Sequence, residues 1–233
     1  MKTYVFKRYE FKYLITVDKF KNIYNELLSY LIPDPHGNST IQSLYFDTDN
    51  YRLIRKSLEK PVYKEKLRLR SYGLVDSNKE VFFEIKKKYK GVVYKRRIEE
   101  KESVALDFIN NKCDLNNLQV SREITYFKNY YQNLKPKMLI LYDRVALYEE
   151  NTNLRVTFDN NIRYRVNDLN LHTNFEGKRV IDSDLVLMEI KFEKAIPMWL
   201  VRILSKYKVY KTSFSKYGKS YLDYMEVING KNI

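Results

Sequence analysis

Strict alternation of apolar and polar residues runs through most of the chain. In KLRLRSYG (66–73), Lys66, Arg68 and Arg70 take every second position, with Leu67 and Leu69 between them. Side chains alternate across an extended strand, so this stretch predicts a strand with one cationic and one apolar face. RYEFKYLI (8–15) follows the same rule, setting Arg8, Glu10 and Lys12 against Tyr9, Phe11 and Tyr13. Six more strands are predicted at IQSLYFDT (41–48), EVFFEIKKKY (80–89), VVYKRRIEE (92–100), MLILYDRVALYE (138–149), NLRVTFDNNIRYR (153–165) and LVLMEIKFE (185–193), with turn signals at Gly73 to Lys79 and at Gly91.

The period changes in TVDKFKNIYNELLSYL (16–31). There Phe20, Ile23, Tyr24, Leu27, Leu28 and Leu31 keep helical spacing, Thr16 is placed to cap the first turn, and Pro33 follows the end. REITYFKNYYQNL (122–134), AIPMWLVRILSKYK (195–208) and KSYLDYMEVIN (219–229) also read as helices. The sum is an α+β chain of about eight antiparallel strands with helices at the start, middle and end. Repeats and Pro/Gly-rich linkers are absent, and the expectation is one domain over residues 1–233.

Sorting each strand by parity repeats the first pattern. Phe82, Glu84, Lys86 and Lys88 share a face, as do Lys95, Arg97 and Glu99; so do Arg155, Thr157 and Asp159, and again Leu187, Glu189 and Lys191. A sheet with one solvated face explains ordinary alternation. Here, however, the charged residues are mostly basic, and like charges facing each other on neighbouring strands repel. The apolar faces are broad enough to need covering by the helices. A closed or nearly closed sheet would then turn its cations inward, an arrangement that requires an anion and a metal to neutralise it. The pattern predicts a tunnel for a polyanion.

Composition narrows the partner. Of 233 residues, 43 are Lys or Arg and 29 Asp or Glu, a formal net charge of +14, which favours an anionic ligand. One cysteine, Cys113, rules out a disulfide within the chain, and with His36 and His172 it supplies no zinc site. No run is long enough for a membrane helix, so the expectation is a cytoplasmic protein without a membrane span, any membrane contact being peripheral and through a partner. YGKS (217–220) looks like the end of a P-loop, but Ser213 stands where its first glycine belongs. Nucleic acid is not expected as a partner, because the aromatics are read on the face opposite the cations rather than interleaved with them.

YEFKYLI, SLYFDTDN, LRLRSYG, FFEIKKKYKGVVYKRR, YDRVALY, LRVTFDNNIRYR, MEIKF and SFSKYGKSY follow one another in an order that resembles the VTC domain. That domain is the polyphosphate polymerase branch of the triphosphate tunnel metalloenzymes, and the resemblance covers residues 4 to 224. It implies an eight-stranded antiparallel closed β-barrel with helices packed outside, whose lumen binds ATP, triphosphate or polyphosphate together with Mn²⁺ or Mg²⁺. It implies that Arg68, Arg70, Lys86, Lys95, Arg144, Arg155 and Lys216 grip phosphates and that Lys12 is the basic residue of the first strand. By the same resemblance Glu189 is a metal ligand, with Glu10 as a second carboxylate for the metal or a lumen arginine. One departure is informative: the wider superfamily's E-x-E-x-K reads Arg8-Tyr9-Glu10-Phe11-Lys12 here. Losing the first glutamate favours polymer synthesis over hydrolysis, because a phosphate nucleophile is already anionic. A tripolyphosphatase or RNA triphosphatase on the same barrel, and a non-catalytic polyphosphate-binding module, remain the alternatives.

Overall fold

The computed structural model describes residues 9–35, 37–76 and 79–230; Arg8 and His36 lie outside them. Its strands are β1 (Tyr9–Thr16), β2 (Ile32–Pro33), β3 (Ser39–Asp47), β4 (Tyr63–Tyr72), β5 (Glu80–Tyr89), β6 (Val92–Lys101), β7 (Lys135–Tyr148), β8 (Arg155–Arg165), β9 (Lys178–Arg179) and β10 (Leu185–Phe192). Its helices are α1 (Val17–Leu27), α2 (Arg52–Leu58), α3 (Glu102–Ile109), α4 (Gln119–Tyr131), α5 (Met198–Lys206) and α6 (Lys216–Gly230). The eight long strands form one antiparallel sheet in the order β1-β10-β8-β7-β3-β4-β5-β6, with β2 added beside β7 and β9 beside β8.

The sheet curls. Lys86 on β5 reaches Glu10 on β1 at 3.6 Å, although six steps of the strand order separate the two. It does not close, and the expected closed barrel is corrected to an open half-barrel. The free edge of β1 is already engaged, because Thr212 N–H donates to Lys12 C=O at 2.7 Å. That bridge occupies the middle of the edge that β6 would need to close the sheet.

Two apolar clusters lie on the convex side. Leu67, Leu69, Phe83 and Ile85 pack under α3 and α4, where Phe108, Ile124 and Phe127 meet them. Ile15, Val156, Phe158, Met188 and Ile190 pack under α1 and α5 through Ile23, Leu27, Leu200 and Ile203. Burying a side chain such as Phe83 or Phe158 contributes about 1.5–3 kcal/mol, so alternate strand positions hold the convex face against its helices. As expected, Thr16 caps α1 by accepting from Lys19 N–H at 3.4 Å.

The third cluster corrects the expectation that all helices pack outside. Ile41, Tyr45, Ile140, Ile162 and Leu187 face inward and are covered by Tyr217 and Tyr221 of α6 and Ile54 of α2. Tyr217 stacks on Tyr45 with centroids 4.4 Å apart, and its hydroxyl donates to Asp47 at 3.0 Å. Asp47 also accepts from the N–H groups of Leu53 and Ile54 at 2.9 and 3.0 Å, tying the first turn of α2 to the end of β3. Part of the concave face is thus filled by the chain itself.

A bulge in the β7–β8 ladder resets parity. Asn161 takes a left-handed φ of 46°, and Asp159 and Ile162, three residues apart, both face inward. Arg163 and Arg165 are consequently turned outward, where they donate to carbonyls of Phe175, Asn170 and Asn174.

Candidate functional site

The rest of the concave face is dominated by charged side chains. Nine cations converge there: Lys12 from β1, Lys66, Arg68 and Arg70 from β4, Lys86 from β5, Lys95 from β6, Arg144 from β7, Lys191 from β10 and Lys216 from the first turn of α6. Four carboxylates stand among them: Glu10, Glu84, Asp159 and Glu189.

The carboxylates form two centres. In the first, Glu189 is 3.0 Å from Lys216, 3.2 Å from Lys12, 3.3 Å from Lys191 and 3.5 Å from Arg144. Asp159 takes a two-pronged grip from Arg144 at 2.5 and 2.6 Å and also meets Lys216. Glu10 lies 3.2 Å from Lys12, whose ammonium therefore bridges Glu10 and Glu189. Lys12 also donates to Phe214 C=O at 3.0 Å, fixing the segment that leads into α6.

The second centre is Glu84 alone. It is fully buried, 2.7 Å from both Arg68 and Lys95 and 4.0 Å from Arg70. Arg68 also donates to the Tyr45 hydroxyl and Arg70 to the Tyr142 hydroxyl, each at 3.0 Å.

Burial pushes all four carboxyls upward, but the neighbouring cations win and hold them below their ordinary values. Lys12, Lys216, Lys191 and Arg144 do so for Glu189, Lys86 and Lys12 for Glu10, Arg68, Arg70 and Lys95 for Glu84, and Arg144 and Lys216 for Asp159. Lys12 moves the other way: burial lowers it, yet Glu189 and Glu10 raise it above its usual value. All four carboxylates are ionised at neutral pH. With nine cations against four carboxylates, the face keeps a formal excess of five positive charges, and partly or fully buried positive charge of that size calls for an anion.

Of the residues singled out by sequence, Lys12, Arg68, Arg70, Lys86, Lys95, Arg144, Lys216, Glu189 and Glu10 all come together here. Arg155 does not. It has inward parity but sits at the sheet's rim, exposed, paired with Asp34 at 2.6 Å and opposite Tyr148 and Lys191 in register. Sequence reasoning put Lys66 and Lys191 on the charged faces of their strands without selecting them as ligands, and it missed Tyr45 and Tyr142 as parts of this surface. It also placed the aromatics on the opposite face. Arg68 lies over Tyr45, Arg144 and Lys216 over Tyr142, and Lys66 over Tyr217, with centroid distances of 4.5 to 5.8 Å. These rings are enclosed, none more than 8% exposed, so they offer no open platform for stacking bases.

A family model described as the VTC domain matches residues 7–224. The chain belongs to the VTC family. This VTC domain shares its fold with two crystal structures. One is a candidate adenylate cyclase from Vibrio parahaemolyticus at 11% identity, covering 93% of this chain and 98% of that one, TM-score 0.54. The other is a candidate adenylate cyclase from Bacillus halodurans at 14% identity, covering 90% and 94%, TM-score 0.55. No curated protein matches the chain by sequence. The fold is that of the triphosphate tunnel proteins, here as an open, curled sheet. Among the described residues, no helix is long and apolar enough to cross a membrane, and no three or more His, Cys, Asp or Glu side chains group as a metal centre.

Proposed function

We propose that this VTC domain is a metal-dependent polyphosphate polymerase that transfers the terminal phosphoryl group of ATP to a growing polyphosphate chain. The observation that carries the reading is the convergence of nine cations with only four carboxylates on one concave face of a VTC-family chain.

Phosphoryl transfer asks for positioning and charge neutralisation more than for covalent help from the protein. Arg68 and Arg70 present planar forks to phosphate oxygens and are already aimed by Glu84, Tyr45 and Tyr142. Lys86 and Lys95 add mobile point charges beside them, while Arg144, Lys12 and Lys216 hold the phosphates nearest Glu189. The phosphoanhydride bond between the β- and γ-phosphates of ATP breaks, a terminal oxygen of the chain forms the new bond to phosphorus, and ADP leaves.

A divalent ion, Mn²⁺ or Mg²⁺, would neutralise charge and join phosphate oxygens when bound. The residues fit one in number and type. Glu189 and Glu10 each bring an oxygen to within 3.2 Å of the same ammonium, and hard ions of this class need only one or two protein carboxylates when phosphates supply other oxygens. Arg155, at the rim and paired with Asp34, has no part in this arrangement.

Incubation with ATP and Mn²⁺, resolved by gel electrophoresis, tests the reading. Long-chain polyphosphate and ADP are expected. Orthophosphate as the sole phosphate product would make the protein a triphosphatase, and no turnover would make it a binding module.

A further inference from the structure

Of the nine cations gathered on the concave face, Lys66 is the one with no carboxylate within 4.0 Å among the described residues. Lys12, Lys191, Lys216 and Arg144 meet Glu189, Lys86 meets Glu10, and Arg68, Arg70 and Lys95 meet Glu84. Lys66 instead donates to the Ser215 hydroxyl at 3.1 Å and lies 5.5 Å from the Tyr217 ring centroid. Ser215 in turn accepts from Gly218 N–H at 3.1 Å, which holds the hydroxyl at the head of α6.

The charged groups that act most strongly on Lys66 are cations: Lys86 from β5, Lys12 from β1, and Lys64 and Arg68 from its own strand. The register makes this worse. Lys66 stands directly opposite Lys86, and the next rung on the same face sets Lys64 opposite Lys88. Two consecutive like-charged rungs are unfavourable in a sheet. No described carboxylate relieves them at Lys66, and α6 keeps solvent away from one side.

We propose that Lys66, with Lys86 opposite and the Lys64/Lys88 rung beyond, forms an oxyanion subsite that is incomplete until a phosphate arrives, and that filling it draws a proton into the protein. The inference deepens the proposed function and rests on a phosphate chain lying on this face. A phosphate oxygen placed between the two rungs supplies the counter-charge that the fold omits. The free protein disfavours a charge on Lys66, and the occupied protein requires one. Burial, followed by the repulsion of Lys86 and Lys12, pushes the Lys66 ammonium down to about 7, in keeping with that geometry. Phosphate binding on this surface is therefore coupled to protonation, and it weakens as pH rises through neutrality.

Calorimetric titration with tripolyphosphate, without metal, in buffers of different protonation enthalpy reads the coupling directly. Two variants isolate Lys66 from the ligand's own titration and from that of the other lysines. Lys66→Arg keeps a charge that cannot be lost near neutrality, so it should bind tripolyphosphate at least as tightly as the native protein, with proton uptake at pH 7 lower by about half a proton per site, as follows for a group half-charged at its pKa. Lys66→Met should bind about tenfold more weakly at pH 6 and near-normally at pH 8.5, the loss expected for one charged contact. Unchanged proton uptake in Lys66→Arg, or native affinity at pH 6 in Lys66→Met with a native melting curve, would overturn the inference while leaving the polymerase reading intact. Failure of the native protein to bind tripolyphosphate at all would overturn both.

Discussion

Two carboxylate centres share the concave face, and they differ in company. Glu189 lies with Glu10 and Asp159 in a shared network, and one ammonium, Lys12, spans Glu10 and Glu189. Glu84 is solitary, buried among Arg68, Arg70 and Lys95. Both are kept ionised by cations, so charge alone does not separate them. Acceptor number does: only the Glu189 centre offers two carboxylates to one position, whereas Glu84 is a counter-ion that aims three cations. On the proposed function, metal-dependent chemistry belongs to the first centre and phosphate grip to the second.

The largest effect on turnover should come from the first. Glu189→Gln keeps the side chain's size and removes its charge; phosphoryl transfer should fall by a factor of about 100 or more, a loss of roughly 2.7 kcal/mol of transition-state stabilisation, while metal-free tripolyphosphate binding is kept or tightened. Turnover assays beside calorimetry check the contrast.

Removing Glu84 should instead register as stability. Glu84→Gln leaves three cations without their shared counter-ion, and breaking a buried charge cluster costs about 3–5 kcal/mol. Thermal unfolding should show a large drop in Tm, mostly restored by tripolyphosphate, which replaces the missing charge by mass action. A loss that phosphate does not restore would mean that Glu84 is an ordinary structural ion pair.

Arg70→Ala should weaken both binding and turnover, by about 1.5–3 kcal/mol in affinity as for one charge-assisted contact. Calorimetry with tripolyphosphate measures it, and unchanged affinity would place Arg70 outside the grip.

The last expected effect is a pH slope. The Lys66 ammonium has an ordinary value near 10.5 in the unfolded chain and about 7 in the fold. Between those values the unfolded chain binds more protons, so stability should rise as pH goes from 7 towards 10. Lys95 and Lys191, lowered to about 7 and about 8 chiefly by burial, act in the same direction, whereas Lys12, raised above its usual value, contributes only at higher pH and the lowered carboxylates only below about 4.5. Melting curves of the phosphate-free protein should show Tm climbing from pH 7 to 9, with the climb reduced in Lys66→Met.

Much of this was legible in the chain. Period-two alternation located all eight long strands, and parity placed Arg68, Arg70, Lys86, Lys95 and Glu189 on one face because those strands run regularly through that stretch. Parity cannot be carried past an irregularity: the bulge at Asn161 turns Arg163 and Arg165 outward, which alternation cannot foresee. It also could not tell a rim from a lumen, so Arg155 was grouped with residues deep in the sheet. Helix α2 escaped because its first turn is held by Asp47 at the end of β3 rather than by an adjacent cap. Helix α3 follows directly on β6 and spans only eight residues, too short for a helical period to stand out. Closure depends on which partner takes the edge of β1, and Thr212 lies 200 residues away from Lys12 in sequence.

The account rests most heavily on the division of labour between the two centres. Tripolyphosphate affinity, measured by calorimetry with and without Mn²⁺ in Glu189→Gln and Glu84→Gln, tests it most directly. The Mn²⁺-dependent gain in affinity should vanish in Glu189→Gln and persist in Glu84→Gln. A gain that survives in Glu189→Gln and disappears in Glu84→Gln would contradict the account and move the metal to the solitary glutamate.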